Sequence, residues 1–272
     1  MRAIGEGVGN EPRGFLGAIF DVDGVLVDSP HERAWREALR ELMEGDWRDV
    51  RAESRWTPEA FTPLVYQQVM SGKPRMAGAR AALEHFRVPD AERRAGLYAE
   101  RKQARVIELI EAGEFHAYPD ALRFALAVRA AGIRTAAASS SKNAALFLRQ
   151  IRLDRFAERE GLSYEFVRPG LTLLSFFDVD ISGRDFARGK PDPEIFLTAA
   201  EELGLLPRSC FVVEDAVSGV QAAKAGAMAA LAIARADDQQ MLAEAGADLV
   251  VTSLDQVDVS ALAEGRLSRR RG

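Results

Sequence analysis

Two aspartates separated by one residue are the side chains of this 272-residue chain whose spacing most clearly allows chemistry. Asp21 and Asp23 follow an apolar run, residues 16–20, and stand directly before Gly24. In an extended segment their side chains project to the same side. Two negative charges there require a bound cation, a shared proton or different environments. The pattern also occurs in turns and in calcium loops. A calcium loop is excluded because apolar residues 25–27 follow, where further oxygen ligands would be needed.

A hydroxyl cluster, a lysine and a second acid pair are the other residues suited to the same chemistry. The segment Ser139-Ser140-Ser141-Lys142-Asn143 opens a predicted helix, where hydroxyls and backbone N–H groups can hold a phosphate or simply cap the helix. Lys190 lies in a proline-rich loop and supplies a positive charge. Glu214 and Asp215 end an apolar run, where carboxylates can hold a hard cation such as Mg²⁺ or cap the next helix.

The elements that must position these residues are short strands alternating with amphipathic helices. Short apolar runs bounded by turn residues are typical of strands buried on both faces. These runs are residues 16–20, 132–138, 210–213, 228–233 and 248–251. Their alternation with helical patterns predicts an α/β fold, a Rossmann-like open parallel sheet with helices on both faces. Ligands bind such sheets at the carboxyl ends of the strands, and each residue named above lies at such an end or in the loop after it.

A helix-rich, charged segment interrupts this alternation after the first strand. Residues 31–115 contain amphipathic stretches and no convincing buried strand, so they are predicted to form an inserted helical cap domain. Residues 1–30 and 116–272 then form the catalytic α/β core. Within the core, residues 1–13 and 266–272 are predicted to be flexible ends.

Composition and charge exclude several classes of protein. The net charge of −5 argues against broad nucleic-acid binding, which needs a basic surface. No apolar stretch is long enough to span a bilayer, and the N-terminus lacks the apolar region of a secretion signal. The single cysteine, Cys210, allows no disulfide and no cysteine-based zinc site within the chain, so we expect a cytoplasmic protein. No heptad seam or apolar stripe specifies an oligomer.

The four groups of residues, in this order, resemble the haloacid dehalogenase superfamily of phosphatases and phosphomutases. The resemblance covers nearly everything from residue 16 to about residue 253, and its most specific segments are residues 20–29, 189–196 and 213–220. It implies the Rossmann-like core with a helical cap inserted after the first strand. It also implies an enzyme that binds Mg²⁺ and a small phosphorylated substrate.

The resemblance implies a role for each core residue. Asp21 attacks phosphorus and forms an aspartyl-phosphate, while Asp23 acts as general acid for the leaving group and then as general base. Mg²⁺ is held by the Asp21 carboxylate, the Asp23 backbone carbonyl and Asp215, with Glu214 in or near the coordination sphere. The remaining two residues, which stabilise charge on the phosphoryl oxygens, are Ser139 and Lys190.

Within the superfamily, the chain resembles the beta-phosphoglucomutase-like subfamily. The segment 138–143 is similar to that subfamily's phosphate loop, which makes Ser140, Ser141 and Asn143 candidate phosphate-binding residues. The predicted cap supplies three more candidate substrate-binding residues, Arg75, Lys102 and His31. Two departures are a linker before Trp35 that is about two residues short and an unassigned insertion over residues 158–176.

Three functions are consistent with these residues. The first is hydrolysis of a small phosphorylated metabolite, foremost a sugar phosphate, through the aspartyl-phosphate. The second is interconversion of β-glucose 1-phosphate and glucose 6-phosphate, which differs in excluding water while the aspartyl-phosphate waits for its acceptor. The third is a phosphoaspartate signalling domain, which shares the sheet and the acids but lacks a helical insert after the first acid pair.

Overall fold

The structure, a computed structural model, describes residues 14–70 and 73–271. The predicted flexible residues 1–13 lie outside the described residues, as do residues 71, 72 and 272. The chain divides into two compact units, one made of Met1–Asp28 with His116–Gly272 and the other of Ser29–Phe115. We call them the core unit and the cap unit. The cap unit begins two residues earlier than the sequence analysis expects.

The core unit is built on a six-stranded sheet in which every pairing is parallel. Its strands run in the order β5-β4-β1-β6-β7-β8, and β2 pairs antiparallel with β3 in a separate ladder. The strands are β1 (Gly17–Phe20), β2 (Val27–Asp28), β3 (His116–Ala117), β4 (Arg134–Ala137), β5 (Val179–Asp180), β6 (Cys210–Glu214), β7 (Ala229–Ile233) and β8 (Leu249–Val251). The predicted α/β fold is confirmed, and β1 lies near the centre of the sheet, between β4 and β6.

Helices cover both faces of this sheet. Its helices are α6 (Pro119–Ala130), α7 (Ala144–Gln150), α8 (Leu153–Arg159), α9 (Leu173–Phe176), α10 (Glu194–Glu202), α11 (Val217–Ala225), α12 (Gln239–Glu244) and α13 (Val259–Leu262), with 3₁₀ turns at Pro207–Ser209 and Leu254–Gln256. On one face, Ile19 of β1 packs in a buried cluster with Phe196 of α10 and Val220 of α11. Neighbouring residues of a strand point to opposite faces, so Phe20 lies on the other face, 6.1 Å from the ring of Phe124 on α6.

The cap unit is helical. Its helices are α1 (His31–Glu44), α2 (Arg48–Arg51), α3 (Pro63–Val65), a π-helical turn over Tyr66–Met70, α4 (Arg75–His85) and α5 (Ala91–Glu111). Trp35 of α1 lies 4.9 Å, ring to ring, from Tyr98 of α5, and the Tyr98 hydroxyl donates to the Trp35 carbonyl at 2.9 Å. Trp47 and Trp56 lie in the same buried cluster. No helix among the described residues of either unit is long and apolar enough to cross a membrane.

The predicted insertion, residues 158–176, packs on the core unit, and Arg129 makes several of the contacts. The guanidinium of Arg129, on α6, lies 5.6 Å from the ring centre of Phe166 and 5.1 Å from that of Phe176. It also donates to the Phe176 carbonyl and pairs with Asp178 at 3.3 Å. Cation–π contacts and a carbonyl acceptor thus anchor the insertion to the helical layer beside β4.

The C-terminal segment, predicted to be a flexible end, makes backbone hydrogen bonds along its described part. The N–H of Asp258 donates to the Ser268 carbonyl at 2.9 Å, and the N–H of Arg270 donates to the Gln256 carbonyl at 2.7 Å. The chain therefore doubles back over the segment before α13 instead of leaving the core unit.

Candidate active site

Asp21 lies at the carboxyl end of the central strand β1. Its N–H donates to the Val213 carbonyl of β6 at 3.0 Å, and its side chain is buried, with the residue 6% exposed. The chain then turns back sharply, and the Gly24 N–H donates to the Val27 carbonyl at 2.8 Å. Gly24 has a φ of +81°, a left-handed conformation that glycine adopts without steric cost. The strand fixes Asp21, and the turn fixes Asp23 two residues later.

Lys190 links Asp21 to Glu214. Its Nζ donates to Asp21 Oδ1 at 2.5 Å and also to Glu214 Oε1. The side chain is largely buried, and its Nζ lies 4.8 Å from the ring centre of Phe196. A cation held between two carboxylates and an aromatic face has little freedom to move. The loop before α10 thus delivers a fixed positive charge to the end of β1.

Glu214, which the sequence predicts as a metal ligand, has both carboxylate oxygens engaged by protein donors. Oε1 accepts from Lys190, and Oε2 accepts from the N–H groups of Asp215 and Ala216, each at 3.0 Å. The first turn of α11 makes room for this carboxylate, because a Cβ on Gly219 would lie 1.9 Å from its carbon. Glu214 therefore holds Lys190 and the turn after β6 in place.

Asp215 faces the first acid pair across the end of the sheet. A Cβ added to Gly24 would lie only 1.9 Å from Asp215 Oδ2, so the carboxylate rests on the bare backbone of the turn. Burial, followed by the charges of Glu214 and Asp21, raises the pKa of Asp215 well above its usual value. Two carboxylates from β1 and β6 therefore share one buried corner.

The acids in this corner outnumber the one ammonium group of Lys190. Burial raises the pKa of Asp21 to about 7, against the opposing charge of Lys190. Burial would lower the pKa of Lys190, but the charges and hydrogen bonds of Asp21 and Glu214 raise it above its ordinary value. The ammonium group of Lys190 contacts Asp21 and Glu214, and Asp23 adds to the repulsion that Asp21 and Asp215 experience.

The donor set fits a hard divalent cation. Within residues 14–70 and 73–271, no three acidic, histidine or cysteine side chains converge closely enough to form a metal centre by themselves. Mg²⁺ does not require such a centre, because it commonly binds one or two carboxylates and completes its shell with water and substrate phosphate. Asp21 and Asp215 are the two carboxylates whose charge a cation would relieve most directly.

The predicted phosphate loop begins at the carboxyl end of β4, the strand next to β1. The last hydrogen bond between them, from Ala138 N–H to the Phe20 carbonyl at 2.8 Å, leads directly into Ser139. Ser139 is buried, and its Oγ accepts from the Ser141 N–H at 3.1 Å. Ser141 Oγ in turn accepts from the Asn143 N–H at 3.3 Å. The hydroxyl of Ser139 thus comes from the strand next to that of Asp21.

The three predicted substrate-binding residues of the cap lie on helices α1, α4 and α5 of the cap unit. Lys102 is buried, its Nζ 3.4 Å from His31 Nδ1 and 5.2 Å from the ring centre of Trp35. Arg75 begins α4 and donates to Gln103, the neighbour of Lys102 on α5. Their role in binding substrate stays a prediction.

Arg235 and Asp120 hold the turn after Asp23, and sequence reasoning misses both. Arg235 Nε donates to the Gly24 carbonyl at 3.1 Å, and Nη2 donates to the Val25 carbonyl at 3.0 Å. Its Nη1 donates to both carboxylate oxygens of Asp120, at 3.1 and 3.0 Å. The available signal is position, because Arg235 follows the apolar run 228–233 after one alanine, much as Asp21 and Glu214 follow theirs.

Comparison with known proteins finds similar sequences and similar structures. A family model described as haloacid dehalogenase-like hydrolase matches residues 16–226. A beta-phosphoglucomutase of Mycobacterium tuberculosis is 32% identical over 263 residues, covering 90% of this chain and 92% of that protein. A phosphorylated carbohydrates phosphatase of Thermotoga maritima is 30% identical over 236 residues, with coverages of 86% and 92%. The crystal structure of an archaeal beta-phosphoglucomutase from a Pyrococcus strain superposes with a TM-score of 0.66 at 32% identity, covering 90% of this chain and 96% of that one.

The chain therefore belongs to the haloacid dehalogenase-like hydrolase family. It is an enzyme of the phosphatase or phosphomutase kind, and its predicted resemblance to the beta-phosphoglucomutases is confirmed.

Proposed function

We propose that this enzyme hydrolyses a small phosphorylated metabolite, a sugar phosphate, by transferring its phosphoryl group to Asp21. The observation that carries the proposal is the hydrogen bond from Lys190 to Asp21 at the carboxyl end of the central strand. It joins a buried carboxylate to a fixed cation at the edge where parallel sheets bind ligands. The sugar is supported by the T. maritima relative, which is named a phosphorylated carbohydrates phosphatase.

In the first step a carboxylate oxygen of Asp21 forms a bond to phosphorus. The bond between phosphorus and the ester oxygen breaks, and Asp23 donates its proton to that leaving oxygen. Lys190 and the Ser139 hydroxyl stabilise the charge on the transferring phosphoryl oxygens. The products are the free alcohol and an aspartyl-phosphate.

In the second step a water molecule attacks the phosphorus of the aspartyl-phosphate. Asp23, now ionised, removes the proton of this water, the bond from phosphorus to the Asp21 oxygen breaks, and inorganic phosphate leaves. The Asp21 carboxylate and the protonated Asp23 are thereby restored, so one residue serves as acid and then as base.

We assign the binding of Mg²⁺ to the carboxylates of Asp21 and Asp215 and to the backbone carbonyl of Asp23. When bound, the ion neutralises charge on the phosphoryl oxygens. We leave Glu214 out of this set, because its oxygens already accept three protein hydrogen bonds, one of them from Lys190. We also expect a cytoplasmic enzyme, since Cys210 is buried and is the chain's one cysteine.

Replacement of the nucleophile tests the proposal. We expect Asp21→Asn to lose hydrolysis of an aryl phosphate with Mg²⁺ present by at least about 1,000-fold, because no covalent intermediate can form. Asp255→Asn is the matched control, since Asp255 is an acid of the same unit that pairs with Arg123. Retention of activity by Asp21→Asn, with Asp255→Asn equally active, would show that Asp21 is not the nucleophile.

A mutase is the second candidate function. It is favoured by the beta-phosphoglucomutases of M. tuberculosis and Pyrococcus, each 32% identical over 90% of this chain. In that reaction the aspartyl-phosphate passes its phosphoryl group to a second hydroxyl of the sugar, and Asp23 removes the proton of that hydroxyl instead of one from water.

Incubation with β-glucose 1-phosphate and a trace of the corresponding bisphosphate separates the two functions. Formation of glucose 6-phosphate without free phosphate supports the mutase. Release of phosphate without glucose 6-phosphate rules the mutase out and leaves hydrolysis.

A further inference from the structure

Arg235 donates hydrogen bonds to the turn that carries Asp23 and to the first turn of α6. Its Nε donates to the Gly24 carbonyl and its Nη2 to the Val25 carbonyl, and its Nη1 donates to both carboxylate oxygens of Asp120. The side chain is mostly buried, at 18% exposure. The guanidinium also lies 3.7 Å from the ring centre of Tyr118. All these partners belong to the core unit.

This arrangement depends on the planar fork of arginine. A guanidinium presents five N–H donors in fixed directions, whereas an ammonium group is a single point on a flexible stem. Asp120 fixes the orientation of the guanidinium, because its carboxylate also accepts from the Leu254 N–H at 2.8 Å and is itself buried. Asp120 therefore orients Arg235, and Arg235 orients two successive carbonyls.

The two carbonyls lie directly after Asp23 in the chain. Gly24 is thereby held at both of its backbone groups, with its N–H on Val27 and its carbonyl on Arg235. The Gly24 N–H lies in the same peptide plane as the Asp23 carbonyl, and the Gly24 carbonyl lies in the next plane, so the two peptide planes that follow Asp23 are both held and leave Asp23 little freedom. Proton transfer requires a donor within hydrogen-bond reach of the leaving oxygen, and a displacement of about 1 Å can cost about 100-fold in rate.

We infer that Arg235, oriented by Asp120, is a positioning residue that fixes Asp23 for proton transfer to the leaving group. The inference rests on the proposed function, in which Asp23 is the general acid. In this assignment Arg235 acts through the carbonyls of Gly24 and Val25 and takes no part in the bond-making steps. Its loss should therefore weaken the step that needs the proton and spare a step that does not.

The experiment compares phenyl phosphate with 2,4-dinitrophenyl phosphate. Phenolate is a poor leaving group that needs a proton, and dinitrophenolate leaves without one. The measured quantity is kcat/KM, which reports all steps up to formation of the aspartyl-phosphate. For Arg235→Met we expect a loss of about 100-fold with phenyl phosphate and less than about 5-fold with the dinitro compound. Asp23→Asn should show the same selective loss.

Two further variants keep the result interpretable. Arg235→Lys retains the charge beside Asp120 but cannot supply the fork, so it should fold and still lose at least about 10-fold selectively with phenyl phosphate. Arg123→Met is the control, because Arg123 is another arginine of the core unit that pairs with acids: it lies on α6 and binds Asp255 and Glu160. This control should change kcat/KM for the two substrates by the same factor, whatever its effect on the thermal midpoint.

The outcomes separate the inference from the function on which it rests. A selective loss in both Arg235 variants supports positioning. An equal loss with the two substrates in Arg235→Lys, while Asp23→Asn loses selectively, overturns the inference and leaves the proposed function intact. A lack of selective loss in Asp23→Asn overturns the inference together with the assignment of Asp23 as general acid, while Asp21→Asn tests transfer to Asp21 separately.

Discussion

The carboxylate of Asp215 lies against the backbone of Gly24, so close that a Cβ at residue 24 would stand 1.9 Å from Asp215 Oδ2. The contact joins the turn after β1 to the turn after β6. It also makes residue 24 a position that only glycine can fill, for two independent reasons. The φ of +81° is strained for any other residue, and the acid occupies the space of the side chain.

The first prediction concerns this contact. We expect Gly24→Ala to lower kcat/KM by at least about 100-fold, because the added methyl group must displace Asp215 or the turn that holds Asp23. Gly132→Ala is the matched control, since Gly132 has a φ of +79° but no atom within 4 Å of its Cβ position. The control should lose about 1 kcal/mol of unfolding free energy and keep its kcat/KM. Equal activities of the two variants would contradict the prediction.

The second prediction concerns Lys190. Lys190→Met removes the cation that Asp21 and Glu214 share, so two buried carboxylates lose a donor. We expect a fall of about 3 kcal/mol in the free energy of unfolding without Mg²⁺ and a loss of about 100-fold or more in kcat. Denaturant titration and steady-state kinetics measure the two effects. Lys224→Met, which breaks an exposed pair with Asp248, should cost less than about 1 kcal/mol and no activity.

The third prediction concerns Asp215 and Mg²⁺. Removal of one charge from a crowded group of acids relieves repulsion, so Asp215→Asn should raise the thermal midpoint in the presence of a chelator. With Mg²⁺ the wild type should have the higher thermal midpoint. Its free energy of unfolding rises by about 2.7 kcal/mol at a Mg²⁺ concentration of 100 times the Kd, and the variant loses much of that rise.

Thermal unfolding of the wild type, Asp215→Asn and Asp248→Asn, each with chelator and with Mg²⁺, measures this crossing. Asp248 is an acid of the same unit that pairs with Lys224, so its variant should respond to Mg²⁺ as the wild type does. A Mg²⁺-induced rise that is the same in all three proteins would show that Asp215 is not a ligand.

The fourth prediction concerns Cys210. Burial raises the pKa of its thiol to about 11, although a hydrogen bond with Ser209 opposes the shift. The reactive species is the thiolate, so modification by a disulfide reagent should be slow at about pH 8 and should accelerate as the pH approaches 11. Denaturant should make the reaction immediate at either pH. Rapid stoichiometric labelling of the native protein near neutrality would contradict this account.

Much of the fold is predictable because its signals are local. Pro119 begins α6 as expected, and Gly132, with its φ of +79°, follows the end of that helix. The apolar runs before Asp21 and Glu214 form β1 and β6 because both strands are buried on both faces. In contrast, β5 (Val179–Asp180) has only two residues, and so short a strand leaves no periodic pattern to detect.

The separate roles of the site residues depend on contacts between distant parts of the chain. The sequence alone therefore does not assign them. Glu214 and Asp215 are neighbours with the same chemistry, and only the backbone after β6 turns one towards Lys190 and the other towards Gly24. Arg235 resembles any arginine in a surface loop until its distance from the Gly24 carbonyl is known. Contacts between residues 24 to 211 positions apart decide these roles, and no spacing in the chain encodes them.

The two-residue ladder of β2 and β3 joins the two ends of the segment that forms the cap unit. Val27 pairs with Ala117 and Asp28 with His116, so the chain leaves the core unit and returns to it across one antiparallel pair. Paired residues of such a ladder are about 5 Å apart. Any inserted chain whose two ends meet at that spacing can occupy the place of residues 29–115 without altering the sheet. Under the prediction that Arg75, Lys102 and His31 bind the substrate, exchange of this one segment would change the substrate preference and leave Asp21 and Lys190 in place.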